Sequence, residues 1–158
     1  MTPLAAIEGS ALGVAMRQSL WLFPAVETVH IVAFAVLVGS IAIVDLRVLG
    51  FSRTLPVTAL ARHALPWAVG AFVVAVPTGL LLFTAHASDL VANRVFVLKI
   101  TLIMIAGTNA AWFHLGPYRT VASWDTGAAA PLPARACAAL SLLIWISVIV
   151  CGRMLAYV

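Results

Sequence analysis

Charged residues are scarce in this sequence, and their scarcity identifies the class of protein. Of its 158 residues only 9% are charged and 64% are hydrophobic, and the mean hydropathy is +1.13. A soluble domain carries roughly 25% charged residues, so lipid must replace water around most of this surface. The length allows one domain. Four spans of about 20 residues each nearly fill it, so we expect no soluble catalytic domain.

Two further features are missing, a run of basic residues and a pair of neighbouring cysteines. The net charge is +4 and the pI is near 9.8, but the basic residues stand at the ends of apolar runs. Without a basic run beside stacking aromatics, nucleic-acid binding is excluded as a function. Cys137 and Cys151 are fourteen residues apart, about 21 Å along a helix, which is too far for a disulfide bond.

Four apolar runs are each long enough to cross a bilayer. They cover residues 20–46, 65–85, 95–113 and 136–157. Trp21 and Trp67 stand near the starts of the first two runs, as aromatic residues do at membrane interfaces. The sequence therefore predicts an all-α integral membrane four-helix bundle over residues 20–158.

Residues 1–19 precede the first span and are only moderately apolar. A rough helical stripe is formed by Leu4, Ile7, Leu12 and Met16. This pattern favours a short interfacial helix that lies on the membrane. A signal peptide is the alternative, but the apolar run that follows is far longer than the 7–15 residues of a signal-peptide core.

The distribution of basic residues predicts the orientation. One side of the membrane would hold five of them, namely Arg47, Arg53, Arg62, Arg119 and Arg135. The other side would hold three, namely Arg17, Arg94 and Arg153. Because cytoplasmic loops carry the excess of basic residues, the sequence predicts a multi-pass protein with both termini on the periplasmic side.

Three ionisable residues inside the predicted spans are the candidates for function, because such groups are costly in lipid. Glu27 and His30 are three residues apart and share one helix face. Both lie within about 15 Å of the outer end of the first span. Lys99 lies four to six residues into the third span from the same side. The sequence therefore predicts that the three side chains converge in the outer half of the bundle.

Each of these candidates has a structural alternative. His30 is a ligand for haem iron or another metal, or else a histidine bonded to Glu27 or to a facing carbonyl. Glu27 opens a Glu-x-x-His pattern, but a di-iron bundle needs that pattern twice and it occurs once. Glu27 is otherwise an interfacial carboxylate, and Lys99 either extends to the headgroups or pairs with Glu27 or with an anionic ligand group. His86, at the outer end of the second span, is a second ligand or propionate contact, or a solvated loop residue.

Two features inside the spans have structural interpretations. Pro77-Thr78-Gly79 in the second span predicts a kink of more than about 20°, with the Thr78 hydroxyl covering a freed carbonyl. Asn109 in the third span predicts a hydrogen bond between helices.

Several of these residues form a pattern that resembles a known family. The pattern comprises Trp21-x-x-Pro24-x-x-Glu27-x-x-His30, Gly39, Asp45-Leu46-Arg47-x-x-Gly50, Pro66-Trp67, Thr78-Gly79, Phe96-x-x-Lys99 and Asn109. It resembles a family of small bacterial membrane proteins of unknown function and covers most of residues 20–115. The resemblance implies four helices in a bacterial inner membrane.

A looser resemblance links the chain to the haem-containing membrane protoporphyrinogen oxidases. These are also four-helix proteins, with a histidine in the first span and a lysine in the third. His30 and Lys99 occupy that order, and His114 follows Lys99 near the end of the span. The resemblance implies haem binding. The chain is also weakly similar to copper-resistance membrane proteins of the four-helix kind.

These observations lead to one hypothesis and two alternatives. The hypothesis is a b-type haem in the outer half of the bundle, with His30 as axial ligand and Lys99, Glu27 and His86 around it, transferring electrons. One alternative is a non-enzymatic membrane subunit or scaffold, and the other is transport of copper or a small solute. The expected partners are the lipid bilayer and, for the haem hypothesis, quinone or a redox protein. The chain could also form a homo-oligomer.

Overall fold

The computed structural model describes residues 2–157. Its helices are α1 (Pro3–Glu8), α2 (Ala11–Gln18), α3 (Leu22–Leu49), α4 (Val57–Ala85), α5 (Ala87–Ala92), α6 (Arg94–Leu115), a 3₁₀ helix (Pro117–Ser123) and α7 (Leu132–Met154). The described residues contain no β-strand. The predicted all-α class is therefore confirmed.

Four of the helices, α3, α4, α6 and α7, are long and apolar enough to cross a membrane. Helix α3 packs most extensively on α4 and also on α7, while α6 packs on α7. Helix α7 is the most buried of the four and α6 the least, so α6 presents most of its surface to lipid. The chain is a multi-pass membrane protein.

The second span is longer than predicted. Helix α4 begins at Val57, eight residues before the predicted start at residue 65. The first two turns alternate buried alanines, such as Ala61 and Ala64, with the exposed Arg62 and His63. This amphipathic start is helical but lies outside a purely apolar run.

Helix α4 continues through both of its prolines, Pro66 and Pro77. The hydroxyl of Thr78 donates to the carbonyl of Val74 at 2.7 Å. The carbonyl that Pro77 leaves without its helical donor is that of Val73, so this bond is not the predicted covering of a freed carbonyl. The size of the bend stays a prediction.

We call the end of the bundle that carries the α3–α4 loop the inner end. An apolar cluster there contains Val44, Val48, Val57 and Trp124. A second cluster fills the middle of the bundle and contains Leu37, Ala71, Ala106, Ile144, Trp145 and Val148. The middle cluster forms an apolar layer that separates the outer half of the bundle from the inner half.

Arg47 joins α3 to two loops at the inner end. Its side chain is 2% exposed. The guanidinium donates to the carbonyl oxygens of Leu55 at 2.6 Å, Arg53 at 3.0 Å and Asp125 at 2.8 Å. Gly50 ends α3 in the left-handed region with φ of 115°, which turns the chain back toward Arg47. The sequence interpretation of Arg47 as an orientation signal misses this structural role.

Asp125 caps the start of α4. Its carboxylate accepts from the Thr58 backbone N–H at 2.8 Å and from the Thr58 hydroxyl at 2.9 Å. These hydrogen bonds, and the one from the Thr58 N–H most of all, hold the pKa of the Asp125 carboxyl below its usual value. The loop before α7 is thereby fixed to the start of the second span.

The N-terminal segment forms two short helices rather than one, with a break at Gly9 and Ser10. Glu8 accepts from the Ser88 backbone N–H at 2.7 Å, and this bond lowers the pKa of the Glu8 carboxyl. Arg17 donates to the last carbonyl of α4, that of Ala85, at 3.0 Å. Helices α1 and α2 therefore cap the corner between α4 and α5, which we call the outer end.

Candidate functional site

His30 joins α3 to α4 through its ring nitrogen. Nδ1 lies 3.0 Å from the carbonyl oxygen of Ala75 and 3.0 Å from the hydroxyl oxygen of Thr78. The ring is half-buried. The structure thus supports the facing-carbonyl interpretation for Nδ1 and leaves Nε2 for another partner.

The tautomer of His30 follows from its partners. A carbonyl oxygen can only accept, so Nδ1 must carry the proton that it shares with Ala75. The Thr78 hydroxyl uses its own proton on the Val74 carbonyl, so its oxygen is also free to accept. Nε2 then holds an unprotonated lone pair, which is the form that binds a metal or accepts a hydrogen bond.

The Pro77-Thr78-Gly79 segment shapes the place where the ring lies. A Cβ atom on Gly79 would stand 3.0 Å from His30 Cε1, closer than such atoms approach without a shift. Thr78 supplies a polar contact from the same turn. The sequence interpretation assigned this segment to a kink. It missed that the segment also forms the surface against which the His30 ring packs.

Aromatic rings extend the site toward the centre of the bundle. The Phe34 ring, one turn along α3, stacks on His30 with 6.3 Å between centroids and 27° between planes. Phe34 also meets Trp145 of α7 edge to face at 5.8 Å. The interior side of His30 is therefore apolar, which strengthens any electrostatic interaction within the site.

Lys99 lies between α6 and α7 at the other side of the site. Its Nζ would be 3.6 Å from a Cβ atom on Gly152 of α7. The small residues 151–152 therefore leave room for the lysine side chain. Glu27 is exposed on the surface of α3. The roles of Lys99 and Glu27 around a cofactor stay predictions.

His86 lies apart, next to the N-terminal helices. It caps the end of α4 and is exposed. Its ring meets Phe23 edge to face at 6.3 Å, and its Nδ1 is 4.0 Å from the Asp89 carboxylate. A cleft of about 400 Å³ is lined by Met16, Arg17, Ser19, Phe23 and His86. As a cofactor contact His86 stays a prediction.

The donor set limits which metals the site could hold. Within residues 2–157 there is no group of three or more His, Cys, Asp or Glu residues that could hold a metal ion. A zinc or di-iron centre takes three or four such ligands from the protein. Haem iron needs only one or two, because the porphyrin supplies four nitrogens.

Asn109 confirms a prediction in the inner half of the bundle. Its Nδ2 donates to the Cys137 carbonyl of α7 at 3.0 Å. This is the hydrogen bond between helices that the amide predicts.

Comparison with known proteins adds the family and nothing on activity. Residues 8–158 match a family of unknown function (DUF6644). No curated protein matches the chain, and no solved structure does.

Proposed function

The chain belongs to this family of unknown function, and we propose that it is a membrane protein that binds b-type haem through His30 and transfers electrons. The observation that carries the proposal is the bond from His30 Nδ1 to the Ala75 carbonyl. Metal-ligating histidines characteristically donate their other ring N–H to a carbonyl or carboxylate, which fixes the ring and its tautomer. His30 has this arrangement inside a membrane span.

The surrounding residues would serve a haem in separate ways. Lys99 is a cation that suits a propionate carboxylate. Phe34 and Trp145 exclude water on the interior side, and Gly79, which has no Cβ atom, lets the imidazole ring lie against α4. The haem supplies the one-electron chemistry, while the protein orients it and sets its surroundings.

The setting of this proposal is a bacterial inner membrane, with quinone or a redox protein as electron partner. The excess of arginines near the inner end supports an orientation with that end in the cytoplasm and both termini in the periplasm. A reporter fused after Val158 should be active in the periplasm. Activity confined to the cytoplasm would reverse the sides of every site described above.

The visible spectrum of the purified protein tests the proposal. After expression with ample haem, we expect a Soret band that shifts on reduction with dithionite, and one haem per chain by the pyridine haemochrome assay. A protein that stays colourless and takes up no added haemin would contradict the proposal. The non-enzymatic membrane subunit would then be the better interpretation.

A further inference from the structure

Asp45 is a half-buried residue whose carboxyl the proposed haem site does not use. It lies near the end of α3, four residues before Leu49. Its Oδ2 atom is buried without a hydrogen-bond partner, and it is the one side-chain polar atom of residues 2–157 in that condition. An unpartnered buried polar atom is rare in a folded protein and calls for an explanation.

No cation of the described chain neutralises Asp45. The guanidinium of Arg47, two residues further on, donates instead to three backbone carbonyls. The ion pair found in residues 2–157 is that of His86 and Asp89 at the other end of the bundle. Asp45 also lies at the negative end of the α3 dipole, which disfavours a second negative charge. An ionised carboxylate would therefore be costly at this position.

The groups that face Asp45 are neutral. Ser141 of α7 is buried, and its hydroxyl lies beside the carboxyl. Cys137, one turn earlier on α7, is also buried near this carboxyl. Asn109 of α6 is occupied by its bond to the Cys137 carbonyl. Helix α4 contributes Ala64 to the neighbouring apolar cluster, together with Val44 and Ala138.

We propose that Asp45 is a proton-binding site in the inner half of the membrane. The carboxyl binds one proton while it is enclosed, and on release the O–H bond breaks, the electron pair stays on the carboxylate and the proton passes to water. Hard metal cations take about six or more oxygen ligands, whereas the Ser141 hydroxyl is the partner found for this carboxyl. A proton needs no ligand besides the carboxyl itself.

The site exchanges its proton with the inner side. Asp45 is about 6 Å from the end of α3 by helical rise, and its side chain is partly exposed. In the other direction, His30 is fifteen residues away, about 22 Å. The apolar layer that includes Leu37, Ile144 and Val148 lies between them. Proton binding at Asp45 is therefore independent of whether His30 holds a haem.

Infrared difference spectroscopy of the full chain in nanodiscs tests this inference. The pH is stepped from about 5 to about 9, a range in which buried carboxyls titrate, with ¹³C-labelled aspartate to separate the aspartates from the glutamates. We expect the C=O stretching band of a protonated carboxylic acid that shifts with the label, disappears on titration, and is absent from Asp45→Asn. Asp89→Asn, at a side chain that is 87% exposed, should leave the band at full intensity.

A second pair of variants keeps the test decisive should Asp45→Asn not fold. Ser141→Ala removes the donor beside the carboxyl and should shift the C=O band. Ser147→Ala, whose hydroxyl bonds to the Leu143 carbonyl of its own helix at 2.8 Å, is the matched control and should not shift it. The proposal is wrong if the wild type shows no labelled band at any pH, or if the band survives in Asp45→Asn. It is also wrong if Ser141→Ala leaves the frequency unchanged.

Discussion

Replacing Arg47 with methionine is expected to lower the free energy of unfolding by about 3–5 kcal/mol, because several buried carbonyl acceptors lose a charged donor at once. Methionine fills much of the same volume but offers no donor. The carbonyls of Leu55, Arg53 and Asp125 would then be left without the guanidinium that now bonds to them. Bonds to a charged group contribute about 1.5–3 kcal/mol each, so the loss exceeds that of an ordinary surface change.

The matched control for this prediction lies in the same loop. Arg53 is exposed and its Nε makes one long bond of 3.3 Å to the Gly50 carbonyl. Arg53→Met should therefore change stability by no more than about 0.5 kcal/mol. Reversible denaturation in mixed micelles measures both variants. Equal effects of the two substitutions would show that the inner loops are not held by Arg47.

The second large effect is expected at His30. His30→Ala should abolish the Soret band while circular dichroism still shows a helical protein, because the variant removes the axial ligand. The lost hydrogen bond to Ala75 should cost about 1 kcal/mol, too little to unfold the bundle. His63→Ala, an exposed histidine near the start of α4, is the matched control and should retain the haem at wild-type stoichiometry.

Two further variants separate a cofactor site from a scaffold. Lys99→Met should keep the haem but change its midpoint potential, because a nearby charge is lost. Glu27→Gln should have the smallest effect, since Glu27 is exposed on α3. A scaffold predicts that all three substitutions alter only stability or partner binding. Retention of the full Soret band in His30→Ala would remove His30 as the ligand.

The spans were predictable from the sequence because an apolar run of about 20 residues in lipid must satisfy its own backbone hydrogen bonds, which a helix does. The long helices α3, α6 and α7 begin and end within a few residues of the predicted runs. The beginning of α4 was missed because its first turns are amphipathic. Helix α5 and the 3₁₀ helix are short and carry no strong periodicity, so their prediction would have required their tertiary contacts.

The candidate site was only partly predictable. The distance of a residue from the end of its span follows from the helical rise per residue, so the similar membrane depth of His30 and Lys99 could be inferred. The hydrogen-bond partner of His30 could not, because Ala75 contributes a backbone carbonyl, which every residue possesses. For the same reason Arg47 seemed to be a topology signal, since all three of its acceptors are backbone carbonyls.

The sequence by itself determined that this protein is a four-span membrane protein whose polar groups inside the spans are few and exceptional. That much depends on composition and on the length of the apolar runs, because an apolar segment in lipid forms a helix to satisfy its backbone hydrogen bonds. Only the tertiary structure decided which polar groups meet: His30 with the Ala75 carbonyl, Arg47 with two loops, and Asp45 with Ser141. Those pairings depend on how helices rotate and cross, which side-chain packing sets and residue spacing alone does not encode.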